Sequence, residues 1–187
     1  GLFDHHRFGI GVAGAYASPL AREQFAECDL LIGVGAGLGH YTTEAGYLYP
    51  NARTVQIDLN PRGLYQGLRI ADMHIKADAK ATADAVLAKL VANNFSAAGA
   101  RSPMLANQIA ATAARPDSKE FLLQAGVVDP RPAMLELDAA IPKDWTVICG
   151  GAHFAGIAVT HMYGRHAQHV HVINDFGAIG SAFAVAI

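Results

Sequence analysis

The run Asp29-Leu30-Leu31-Ile32-Gly33-Val34-Gly35-Ala36-Gly37-Leu38-Gly39 decides the fold. Its first half is short, apolar and continuous rather than alternating, the pattern of a strand buried on both faces. Its second half places glycine at every second position, which lets the backbone turn sharply where the strand ends. A buried strand feeding directly into such a loop belongs in an open, parallel α/β sheet, where ligands meet the carboxyl ends of the strands.

The neighbouring segments agree with that frame. Residues 18–27 read as a helix, with Ser18 as its N-cap, Pro19 at the first helical position, and Ala21, Phe25 and Cys28 at helical spacing. Residues 53–58 form a second strand, stopped by Asn60-Pro61, and residues 73–76 a third. Ala83, Val86, Leu87 and Leu90 space a helix over residues 80–91. Strands alternating with helices predict a parallel, doubly wound sheet.

Between residues 93 and 117 the texture changes to Ala, Ser, Asn and Pro, which suits a linker carrying one surface helix, residues 104–114. A second unit opens at Asp129-Pro130-Arg131-Pro132. Met134, Leu135 and Leu137 continue a helix from Pro132 to about Ile141-Pro142. Then come a strand at residues 145–149, the pair Gly150-Gly151, a helix at residues 154–163, a strand at residues 169–173, and a helix after Gly180. The expected division is residues 1–95, an incomplete first α/β unit; 96–128, a linker; and 129–187, the start of a second α/β unit. The last helix carries no capping residue or polar tail, so the chain reads as a piece of a longer enzyme.

With 187 residues and 52% hydrophobic content the chain is a globular one. Its 14 basic and 16 acidic residues give a net charge of −2, with no basic excess or cluster to hold nucleic acid or an anionic membrane. No apolar run reaches the roughly 18 residues that span a bilayer. Cys28 and Cys149 lie beside apolar strands without C-x-x-C spacing, which favours buried free thiols and a reducing cytoplasm.

Several residues carry chemistry. Gly33 and Gly35, with Asp58 at the end of the next strand, could hold a dinucleotide or flavin, the glycines near phosphate and the carboxylate on a ribose hydroxyl; equally, the loop is purely structural, because its spacing is not G-x-G-x-x-G. His153 follows the glycine pair at a strand end, where it either reaches into a cleft or serves structure. His166, His169 and His171 look like metal ligands, but no carboxylate or cysteine completes a set, so no metal residue is assigned. Asp175 is either an acid or base or the cap of the last helix. Ile179, an apolar side chain near Gly177 and beside Gly180, can press on a ligand ring.

Taken in order, Glu27-Cys28-Asp29-Leu30-Leu31-Ile32-Gly33-Val34-Gly35-Ala36, Pro50-Asn51-Ala52-Arg53-Thr54-Val55-Gln56-Ile57-Asp58-Leu59-Asn60-Pro61 and Ala77-Asp78-Ala79-Lys80-Ala81-Thr82 carry a resemblance. So do Ile141-Pro142-Lys143-Asp144, Gly150-Gly151-Ala152-His153 and Gly177-Ala178-Ile179-Gly180. The chain resembles the thiamine-diphosphate-dependent enzymes of the acetolactate synthase, benzoylformate decarboxylase and pyruvate decarboxylase group. The likeness runs from the central, Rossmann-like domain into the opening of the cofactor-binding domain.

The resemblance implies a parent enzyme that decarboxylates or joins 2-keto acids with thiamine diphosphate and Mg2+, as a homodimer or homotetramer. It assigns Ile179 to shaping the cofactor's pyrimidine, the Gly177 carbonyl and Ile179 amide to bonding its edge, and His153 to a place near cofactor and substrate. In the family the activating glutamate and the metal-binding G-D-G motif lie outside the stretch this chain covers, so the isolated chain is expected to be inactive. Acetolactate synthases carry an arginine after the Gly-x-Gly-Ala run; this chain has Gly37-Leu38-Gly39, which disfavours FAD or ADP and leans toward a flavin-free decarboxylase or lyase. The rival expectation is a stand-alone nucleotide-binding or regulatory module built on the 33–39 loop.

Overall fold

The computed structural model describes residues 3–61, 63–65, 68–97, 99–114, 122–173 and 178–186. Gly177 and Asp175 therefore lie outside the described residues. The chain divides into two compact units: residues 13–15 with 22–101, and residues 1–12, 16–21 and 102–187. The fold is α/β, with parallel sheets and accompanying helices.

Helix α1, Pro19–Glu27, starts as its sequence dictates, the Ser18 hydroxyl accepting from the Ala21 amide at 3.1 Å. Strand β1, Leu30–Val34, pairs in parallel with β2, Arg53–Asp58, in the register Leu30↔Arg53 through Val34↔Ile57. On the far side of β2 lies β5, Met73–Lys76, also parallel, so β2 is central. The ladder is tied at its amino edge by an exchange between Asp72 and Thr54. The Asp72 amide donates to the Thr54 carbonyl, and the Thr54 amide to Asp72 Oδ2, each at 2.9 Å.

Two elements between these strands have no periodic signal in the sequence. Helix α2, His40–Thr43, is a single turn that runs into a 3-10 turn, Glu44–Gly46, across consecutive left-handed residues: Glu44 at φ 49 and Ala45 at φ 57. The Thr43 side chain caps that turn by accepting from the Gly46 amide at 3.1 Å, and Arg22 pairs with Glu44. A short antiparallel hairpin, β3 at Leu64–Tyr65 and β4 at Leu68–Arg69, then returns the chain toward β5.

Helix α3, Ala79–Ala92, is capped by Asp78, whose Oδ1 accepts from the Ala81 amide at 2.8 Å. The apolar spacing correctly marks a helix, yet Val86, Leu87 and Leu90 are exposed rather than buried. Helix α4 spans Pro103–Ala114, with the Ser102 hydroxyl accepting from the Leu105 amide.

In the other unit, α5 spans Pro130–Ala140 and begins two residues before the expected Pro132. Asp129 is the cap, accepting from the Arg131 amide at 2.9 Å, and both prolines fit the first turn, where amide donors have no helical partner. The helix stops at Ile141, held extended at φ −99 and ψ 140 because it precedes Pro142. Strand β6, Val147–Gly150, begins two residues later than expected, since Trp145 is in a turn and its amide donates to the Pro142 carbonyl. Helix α6, His153–His161, returns the chain to β7, Val170–Ile173, which pairs with β6 in parallel; α7, Ser181–Ala186, follows. Cys149, Ala155, Ala158 and Met162 form the core here, with Met134, Ile141 and Val147 packed against it.

At the amino edge of β6 and β7 lies a buried polar clasp. Arg165, whose side chain is 1% exposed, donates through Nε to Asp138 Oδ1 at 2.9 Å and through its other nitrogens to the carbonyls of Pro142 and Ile141. Lys143 Nζ and the Tyr163 amide both donate to Asp138 Oδ2. One carboxylate thus ties the end of α5, the approach to β6 and the turn before β7.

Candidate functional site

Each of the two parallel sheets has a glycine-bearing segment at its carboxyl edge. In the first, Gly35 leaves β1 with φ 60, and its amide donates to the Ile57 carbonyl at 2.8 Å, which sets the loop beside the end of β2 and Asp58. Asp58 Oδ1 accepts from the Asn60 amide at 2.7 Å, stopping the strand as a turn cap. Gly33 lies under Leu38: a Cβ there would meet both Leu38 methyl carbons at 3.0 Å. Leu38 itself is left-handed at φ 48 and only 5% exposed.

Gln56, buried in the centre of β2, donates its Nε2 to the Ala36 carbonyl at 2.9 Å. Its Oε1 is therefore an acceptor, and the His74 ring, 3.1 Å away through Nδ1, carries the hydrogen on that nitrogen. Gly33, Gln56 and His74 form one row across three paired strands, so they point to the same sheet face. Leu38 also walls a cavity of about 290 Å³ with Thr43, Tyr49, Thr54, Ile70 and Asp72. Burial there pushes the Tyr49 phenol up, with Cys28 adding to the effect, and keeps it a neutral donor.

In the second sheet, parallel pairing of Gly150 with Ile173 puts the carboxyl ends of both strands on one edge. Helix α7 lies against the end of β6, where a Cβ built at Gly150 would stand 3.4 Å from Ala182 Cβ, an ordinary contact. His153 opens α6, exposed, immediately after Ala152, which holds a conformation foreign to side-chain-bearing residues at φ 98 and ψ 180. After β7, Gly180 turns the chain at φ 92 and the Ser181 hydroxyl donates to the Ala178 carbonyl at 3.0 Å. Ile179 stands out from this turn, 92% exposed. His153, Ile179 and Gly180 thus share one sheet edge, while Gly33, Gly35 and Asp58 share the edge of the other sheet.

The remaining candidates are locally engaged. His166 and His169 rings meet edge to face at 6.2 Å, and His171 Nε2 lies 3.0 Å from the Gln168 carbonyl. Among the described residues no group of three His, Cys, Asp or Glu gathers to hold a metal, and no helix is long and apolar enough to cross a membrane. Both cysteines are free thiols. Sequence reasoning missed Leu38 and Gln56 as parts of the glycine loop; the signal was present in Leu38, a large residue inside a run of glycines.

Parallel strands whose carboxyl ends feed glycine-bearing loops define an open α/β protein, a class in which ligands generally bind at that edge. Residues 1–86 match the family model described as thiamine pyrophosphate enzyme, central domain. Over 90 residues, 48% of the chain, it is 31% identical to a Methanocaldococcus jannaschii protein described as a probable acetolactate synthase large subunit. The alignment takes in 15% of that relative, so the chain spans a small part of its length.

Thiamine diphosphate makes two separate demands. Its pyrimidine needs an apolar contact and backbone groups along one edge, which the exposed Ile179 and the turn at Gly180 fit. Its diphosphate needs a metal and oxygen ligands, and among the described residues no cluster of three supplies them.

Proposed function

We propose that this chain works in a thiamine-diphosphate-dependent enzyme that decarboxylates or joins 2-keto acids. One observation carries the reading: Ile179 stands 92% exposed beside a left-handed glycine, on the sheet edge that also carries His153. A ring resting on Ile179 would take this apolar side chain out of water. The family match over residues 1–86 supports the same conclusion from the other unit.

When bound, thiamine diphosphate supplies an electron sink for the carbon that loses carbon dioxide. The chain's own residues orient it. Ile179 would support the pyrimidine from one face, its amide would donate to a ring nitrogen, and the carbonyl of Gly177, which lies outside the described residues, would accept from the ring's amino group. His153 places an exchangeable proton beside the 2-keto acid. Among the described residues no cluster of three offers ligands for Mg2+ and the diphosphate, and the chain by itself is expected to be inactive. The working unit is a homodimer or homotetramer in a reducing cytoplasm, which the two free thiols suit.

The test is made on the protein as expressed from its own gene, with pyruvate and benzoylformate as 2-keto acids. Carbon dioxide release that requires thiamine diphosphate and Mg2+, and that falls at least tenfold with Ile179→Ala, about the worth of one lost apolar contact, is the expected result. Absence of any thiamine-dependent turnover across a panel of 2-keto acids would overturn the assignment.

A further inference from the structure

We propose that the glycine loop of the first unit is closed by its own side chains and excludes a nucleotide from the carboxyl end of β1. An anion cradle at this position needs open space above the first glycine, backbone amides turned outward and a following helix long enough to point its amino end at phosphate. The first and the third are missing here, and of the amides that of Gly35 is turned away. The space over Gly33 is filled by the Leu38 methyls, 3.0 Å from where a Cβ would stand, so a larger residue at position 33 would have to push Leu38 aside. The Gly35 amide is turned inward to the Ile57 carbonyl, and the Ala36 carbonyl is held by Gln56. The helix that follows, α2, has four residues and no side-chain cap at Gly39.

The glycines sort by the same logic. Gly35 is demanded by its φ of 60. Gly37 has neither a left-handed φ nor any atom within 4 Å of a built Cβ, so the folded loop has no need of glycine there. A phosphate lying against the loop would need it. Asp58 accepts from the Asn60 amide through Oδ1 as the cap of its turn. Gln56 is the fastener: with Nε2 committed to Ala36 and Oε1 facing the His74 ring, its amide has one orientation and pulls the loop onto the sheet. This inference stands on the first unit alone and does not depend on the thiamine reading.

The experiment uses the whole chain, titrated with ADP, NAD+ and FAD while binding is followed by calorimetry and amide exchange by NMR. No saturable binding at millimolar nucleotide, an unchanged Gly35 amide, and a Gly37→Ala variant as stable as the parent are expected. Gln56→Leu, which cannot bond Ala36, raises Gly35 exchange about tenfold, the loss of roughly one hydrogen bond. Saturable nucleotide binding that protects amides 35–39 and is abolished by Gly37→Ala overturns the proposal, as does unchanged Gly35 exchange in Gln56→Leu. Should Gln56→Leu fail to fold, the titration of the unmodified chain decides alone.

Discussion

Arg165 and Asp138 meet at the amino edge of the β6–β7 sheet, Nε to Oδ1 at 2.9 Å, with side chains 1% and 8% exposed. Both charges are compensated: Asp138 takes donors on both oxygens, and Arg165 is spread over one carboxylate and backbone carbonyls. Burying such a pair does not add much stability, but orphaning one member is severe.

Replacing either partner alone, Asp138→Leu or Arg165→Met, is expected to cost about 3–5 kcal/mol, whereas the double replacement recovers most of the loss. Urea unfolding of the four proteins checks this. Equal losses in the single and double variants would show that packing, not charge compensation, governs the site.

Hydrogen bonds from the Arg131 side chain and amide hold the Asp129 carboxyl down at about 2, from an ordinary value of 3.8. A carboxyl lowered in the folded state stabilises fully above its unfolded value and loses that contribution as pH falls through the folded one. The cap of α5 is therefore expected to persist through pH 4 and to weaken only toward pH 2. The Asp129 carboxyl carbon, followed by NMR, should titrate with its midpoint there; a midpoint near 4 would remove the Arg131 interaction from the account.

Burial pushes the Cys149 thiol up, and burial together with the charge of Asp29 pushes up Cys28. Cys28 is half-buried and Cys149 is 4% exposed, so a thiol reagent at pH 8 should label Cys28 first and Cys149 only as the unit opens. Mass spectrometry of partly labelled protein reads the order. Labelling of Cys149 at the rate of Cys28 would mean that the β6 core opens far more readily than its packing implies.

Glu44 and Ala45 hold left-handed conformations without being glycine. Each L-residue there costs roughly 1–2 kcal/mol, part of which glycine returns as lost chain freedom. Ala45→Gly is expected to raise stability by about 0.5–1 kcal/mol, while Gly14→Ala, whose Cβ would collide with the Tyr41 carbonyl, lowers it. Thermal unfolding of both variants checks the signs.

Much of the fold was legible because its signals are local. Ser18-Pro19, the apolar run before Gly33, and Asp78 before the Ala-rich helix each dictate their element through two or three residues. What escaped was non-local or brief. Helix α2 has one turn and the β3–β4 hairpin two residues a side, too short for any period to show. Arg165 and Asp138 are 27 residues apart, and nothing in either neighbourhood announces a buried charge. The candidate site was legible in the same measure: Ile179 and His153 stand out through flanking glycines, while Gln56, inside an apolar strand, acquires meaning only once Ala36 is folded over it.

The backbone at Ala152 has a final consequence. At φ 98 and ψ 180 that residue occupies territory open to glycine and barely tolerable for a methyl group. Position 152 is thereby confined to the smallest side chains, and the direction in which His153 leaves the strand is dictated by its predecessor's main chain. The group presented at that edge can be changed by exchanging the imidazole, without rebuilding the loop that aims it.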